Sequence, residues 1–133
     1  MDLGCLRLRL LRPGTFYQRI PGVFRDQSIG LFITKGRVYE LFAGLDRLDF
    51  VKCDVEGFEF QVFSNMQQTL AKHLPLIQTE LNGDHNRYSV IALLEKIGYQ
   101  TCVLSAENEL KPCLGAEIAN HQGDFYFKPL KNA

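Results

Sequence analysis

Asp54, Glu56, Glu80, Asn82 and His85 are the side chains whose types and spacing could act on a hydroxyl group. Asp54 and Glu56 follow the apolar run Phe50-Val51-Lys52-Cys53 and stand two apart, so both leave an extended backbone on roughly the same side. A carboxylate held there can orient or deprotonate an acceptor hydroxyl, the work of a general base. The same two carboxylates could instead cap the helix that begins near Phe58, where free N–H groups and the helix dipole attract negative charge. Gly57 permits a sharp turn or a close backbone approach. Glu80 ends the next apolar run with Asn82 and His85 close behind it, and in an open α/β sheet ligands bind beyond such strand ends.

Other polar residues have plainer readings. Lys52 lies inside an apolar strand, a place where Lys is rarely left unpaired, and either pairs with Glu80 on the neighbouring strand or reaches the surface, with a substrate contact as the alternative. Asp54, Glu56, Glu80, Asp84 and His85 form no HExxH or EF-hand spacing, so no metal site is assigned. His73 falls at a helix end, where it can meet the dipole, and His121 falls in a polar loop, where it is expected to be solvated. Cys5, Cys53, Cys102 and Cys113 contain no CxxC pair, and three of them sit inside or beside apolar runs and read as small buried hydrophobes.

The positioning elements follow from hydrophobic period. Leu6, Leu8 and Leu10 alternate with Arg7 and Arg9, as in a half-buried strand. Ile29–Thr34 and Arg37–Phe42 flank Lys35-Gly36 and read as a β-hairpin. Phe50–Val55 is a short strand, and Phe58, Val62, Met66 and Leu70 then mark one helix face, with Pro75 as its stop. Leu76–Leu81 is the next strand, followed by a helix over about 86–97 with Asp84 or Asn86 at its N-cap and Gly98 past its end. Tyr99–Leu104 and Asp124–Lys128 are further strands. Strand–helix–strand–helix–strand is the α/β pattern with a parallel sheet.

The 133 residues are expected to form a single domain, 1–133, with 1–44 as an N-terminal strand and hairpin region and 45–130 as the α/β region. Hydrophobic residues make up 46% and charged residues 23%, enough apolar content to build a core. Lys plus Arg and Asp plus Glu both number 15, so the basic excess of a typical nucleic-acid binder is missing. Arg7, Arg9, Arg12, Arg19 and Arg25 are a local exception, read as a solvated face with phosphate or RNA contact as the alternative. No signal peptide or spanning apolar run is found, and the expected location is a reducing cytoplasm.

Asp49-Phe50-Val51-Lys52-Cys53-Asp54-Val55-Glu56-Gly57-Phe58-Glu59 closely resembles the FkbM-type methyltransferase signature D-[FL]-[IV]-K-x-D-V-E-G-x-E. The resemblance continues through Pro75–Glu80, through Leu93-Leu94 to Gly98-Tyr99, and through Asp124–Phe127. It covers about residues 45–130, while 1–44 match loosely. It implies a class I methyltransferase (Rossmann-like) sheet of strand order 3-2-1-4-5-7-6, with Asp49–Val55 as strand four, the next three as strands five to seven, and the seventh antiparallel. It also implies S-adenosylmethionine as cofactor and O-methylation of a small or sugar-like acceptor, with Asp54 and Glu56 beside the donor methyl and Glu80, Asn82 and His85 shaping the acceptor pocket.

One part of the family pattern is missing. Class I enzymes hold the cofactor with a Gly-rich turn after the first strand and an acid ending the second. Gly14, Gly22, Gly30, Gly36 and Gly44 are scattered before Asp49 and show no GxGxG-like spacing. The sequence therefore reads as strands four to seven plus an N-terminal β segment, either a piece of an enzyme or a non-catalytic binding or assembly module. Without strands one to three, the fourth would present a bare edge. Either the N-terminal segments fold over it, or two chains or a partner chain meet there.

Overall fold

The computed structural model describes residues 6–11, 30–35 and 46–130. Their elements, in order, are β1 (Leu6–Leu11), β2 (Gly30–Lys35), β3 (Phe50–Cys53), α1 (Glu59–Asn65), α2 (Gln67–His73), β4 (Leu76–Glu80), α3 (Asp84–Ile97), β5 (Tyr99–Leu104), β6 (Leu110–Pro112), α4 (Ala116–Asn120) and β7 (Asp124–Pro129). The strands form one mixed seven-stranded sheet in the order β1-β2-β3-β4-β7-β5-β6. The expected α/β organisation is present.

β2, β3 and β4 are parallel neighbours, with Ile33 opposite Cys53 and Cys53 opposite Thr79. β7, late in the chain, inserts between β4 and β5 and runs antiparallel to both. β1 runs antiparallel to β2, with Leu6 opposite Lys35. The N-terminal strands thus cover the edge of β3, and the geometric reason for a dimer across that edge is removed. Of the hairpin expected around Lys35-Gly36, the second arm, 37–42, lies outside the described residues; β2 itself is paired to β1 and β3.

The sheet's alternation separates two apolar clusters. Val51, Cys53, Ile77, Phe125 and Phe127 face one side and meet Val62, Phe63, Met66 and Leu70 of the α1–α2 region, Val90, Ile91 and Leu94 of α3, and Ile118 of α4. Phe50, Leu76, Cys102 and Tyr126 form the smaller cluster on the other side. Two buried side-chain hydrogen bonds brace the sheet itself: Thr79 Oγ1 on β4 donates to the Cys53 carbonyl on β3 at 2.9 Å, and the Tyr99 hydroxyl on β5 to the Pro75 carbonyl just before β4 at 2.7 Å.

The single helix expected from Phe58 onward is broken at Met66 (φ −107°, ψ 7°). Its stripe is continuous, but its end carbonyls are taken by side-chain amides. Asn65 Nδ2 donates to the Gln61 carbonyl at 2.8 Å and Gln67 Nε2 to the Ser64 carbonyl at 3.1 Å. Such short-range amide bonds compete with the helical ladder. α3 begins earlier than expected, with Gly83 at its N-cap and no side-chain cap. Asp84 is its first residue, and Asn86 bonds elsewhere.

Candidate functional site

The turn after β3 is built from two successive left-handed residues, Glu56 (φ 45°) and Gly57 (φ 99°). Gly accepts that geometry readily, whereas a residue with a Cβ holds it against a cost of about 1–2 kcal/mol. The turn is held by Glu59, which is 2% exposed. Its Oε2 accepts the Gly57 amide at 3.0 Å and Asn86 Nδ2 at 2.9 Å. The N-cap of α1 is Phe58, without a side-chain cap bond, so the carboxylate that organises this helix start is Glu59. Asp54 and Glu56 themselves are exposed at the rim.

Because β3 and β4 are parallel and Cys53 lies opposite Thr79, the residues that follow each, Asp54 and Glu80, leave the sheet at the same rim. Glu80 and Asn82 line a polar cleft of about 470 Å³. Asn82 Nδ2 reaches Glu80 Oε1 at 3.5 Å, a long contact. One wall is the β4–α3 turn with Gly83 and Asp84, and the other is the segment from Ala119 to Gly123. Five expected site residues are thus divided. Glu80 and Asn82 share the cleft, Asp54 and Glu56 sit on the neighbouring turn outside its lining, and His85, exposed on the first turn of α3, is not part of the lining. Among the described residues, no group of three His, Cys, Asp or Glu side chains is arranged to hold a metal ion.

Arg87 connects the two walls. Its Nε donates to the Leu81 carbonyl at 3.0 Å, and its Nη1 to the Ile118 and Ala119 carbonyls at 2.8 and 3.2 Å. The guanidinium carbon lies 5.0 Å from the centre of the Phe125 ring, within cation–π range. His121, expected to be solvated, is half-buried. Its Nε2 lies 2.9 Å from the Asp124 carbonyl and its ring meets Phe125 edge-on at 4.8 Å. Asp124 in turn accepts from Gln78 Nε2 at 2.8 Å. Lys52 is set opposite Gln78 by register, two residues short of Glu80.

Sequence patterning missed Glu59, Arg87 and the 119–123 wall. Glu59 did leave a trace, as an acid opening an otherwise apolar helix face. Arg87 and the wall left none, since a charged residue in a first turn and an Asn-His-Gln-Gly run both read as solvated. Among the described residues, the three thiols are buried and poorly suited to act as nucleophiles. Burial raises the Cys53 thiol well above its ordinary range, with Glu59 and Asp54 adding to the effect and the Thr79 hydrogen bond opposing it. Burial likewise raises Cys102 and Cys113. A protonated thiol is a poor nucleophile.

The mixed α/β sheet with its flanking helices is consistent with a methyltransferase-like fold. A profile of the Methyltransferase FkbM domain matches residues 33–101, from the middle of β2 to the start of β5. The chain belongs to the FkbM-type methyltransferase family. Searches of curated proteins and of solved structures return no match. No helix among the described residues is long and apolar enough to cross a membrane.

Proposed function

We propose that this chain is a methyltransferase-like domain that keeps the acceptor side of the fold, while the described residues do not furnish the donor side. The order β3-β4-β7-β5, with β7 antiparallel, supports assigning these strands as four, five, seven and six of a class I sheet. β2 occupies the place of strand one, parallel to β3.

The observation that carries the reading is the direction of β1. A class I donor site needs a second strand ending in an acid at the same rim as the first. β1 is antiparallel to β2, so its end at Leu11 lies at the rim opposite Cys53 and Glu80. The described residues therefore do not fit the whole of S-adenosylmethionine, and no step through it is derived. In this reading Glu80 and Asn82 contact a small hydroxyl-bearing molecule in the cleft, and Asp54 or Glu56, on the neighbouring turn, is the base for its hydroxyl. O-methylation by this rim would need the donor half from further polypeptide or a partner.

Calorimetric titration of S-adenosylmethionine and S-adenosylhomocysteine, with Asp54→Ala as control, tests this. No heat of binding up to millimolar ligand is expected. Micromolar binding that disappears in the variant would overturn the proposal and make the chain a donor-binding enzyme in its own right.

A further inference from the structure

We propose that the cleft beside Glu80 selects a hydroxyl-rich molecule that carries an amine, such as an amino sugar, over its neutral or phosphorylated counterpart. This rests on reading that rim as the acceptor side. The cleft volume of about 470 Å³ is within the ~300–1,000 Å³ usual for small-molecule sites.

The chemistry of the walls narrows the ligand. Glu80, Asn82 and Asp84 face Asn120, His121 and Gln122, and Ala119 supplies the one aliphatic side chain. The one ring in the lining, that of His121, already meets Phe125 edge-on. Vicinal hydroxyls find both kinds of partner, since carboxylates accept their protons and side-chain amides both donate and accept.

Charge then decides among hydroxylated ligands. Two carboxylates, Glu80 and Asp84, stand against one guanidinium in the lining. That guanidinium directs its Nε and Nη1 into carbonyls of both walls, at 2.8–3.2 Å, and lies over Phe125. Arg87 is a strut that holds the walls together, and it is poorly placed to serve as an anion receptor. An ammonium group entering the cleft gains from both carboxylates, whereas a phosphate meets them as like charges.

Glucosamine, glucose and glucose 6-phosphate, titrated into the isotope-labelled full chain and followed by NMR, separate the possibilities. Glucosamine is expected to shift the resonances of residues 80–84 and 119–123 and to bind about three- to tenfold more tightly than glucose, the range of one or two exposed ion pairs. Glucose 6-phosphate is expected to bind more weakly than glucose. Combining Glu80→Gln with Asp84→Asn should abolish the ranking while leaving resonances far from the cleft unchanged. Equal affinities, a preference for the phosphate, a ranking that survives the double substitution, or glucosamine causing no shifts at the cleft would each overturn the proposal. Donor calorimetry reads the other half of the fold, so micromolar binding of S-adenosylmethionine would sink the proposed function and leave this ranking standing.

Discussion

Asn86 Nδ2 donates to Glu59 Oε2 at 2.9 Å, joining the first turns of α3 and α1 directly behind the Glu56-Gly57 turn. The same oxygen holds the Gly57 amide, so one buried carboxylate fixes the rim turn and the helix behind it together. Replacing Glu59 by Ala strands two donors and should cost about 3 kcal/mol, since bonds to charged acceptors are worth about 1.5–3 kcal/mol each and are not additive. Glu59→Gln keeps one acceptor oxygen and should lose about 1 kcal/mol. Urea unfolding midpoints at constant slope would check both values. Equal losses in the two variants would mean that the carboxylate's charge, and not its acceptor role, holds the turn.

Gly57→Ala isolates backbone strain. A Cβ built there meets no atom within 4 Å, yet φ is 99°. The substitution should destabilise by about 1 kcal/mol through conformation alone. A thermal midpoint unchanged from the parent would show that the turn has relaxed to another geometry.

Arg87→Met preserves the apolar stem and removes the fork. Leu81, Ile118 and Ala119 lose their shared donor and Phe125 its cation, for a combined loss of about 2 kcal/mol. Amides of 116–123 should exchange with solvent faster than those of α3 in a hydrogen-exchange measurement. Arg87→Lys should recover little, because an ammonium cannot reproduce the planar fork.

Alkaline pH should loosen the fold in a way that can be assigned. Burial raises the Tyr99 hydroxyl above its ordinary value near 10, and Cys53, Cys102 and Cys113 are raised too. Above their ordinary values these groups lose protons in the unfolded chain while keeping them in the folded one. The unfolded state then binds fewer protons, so stability falls with rising pH. The loss should begin near pH ~8.5–9 with the thiols and steepen above pH ~10 with Tyr99, by about 1.4 kcal/mol per pH unit for each fully affected group. Tyr99→Phe should be less stable at neutral pH, having lost the bond to Pro75, but shallower above pH ~10 in a series of urea titrations.

Legibility from sequence followed local signals. β3, β4, β5 and β7 are apolar runs bounded by breakers such as Pro75, Gly98 and Pro129, and each was placed within a residue or two. β6 could not be read: three residues, Leu110–Pro112, become a strand because Cys102, Val103 and Leu104 offer an edge. The break at Met66 was hidden for a related reason, since its apolar stripe runs on while the amides of Asn65 and Gln67 end the ladder. Of the site, the Asp54–Gly57 motif and the Glu80–Asn82 pair were visible as strand endings. The second wall of the cleft depends on Arg87 reaching residues some thirty positions away, and no sequence period records a contact of that span.

The position of β7 also bears on how the molecule comes into being. Synthesis delivers β4 and β5 well before the strand that lies between them, so the nascent chain holds two half-sheets whose facing edges are both bare. The sheet is joined only by residues 124–129, which pair with Ile77, Gln78, Thr79 and Glu80 on one side and Tyr99, Gln100, Thr101 and Cys102 on the other. Those pairings with β4 are distant in sequence, a class of contact that slows folding. A chain that stops short of β7 lacks the strand joining β4 to β5, and unpaired strand edges of that kind are what makes partly formed sheets prone to association.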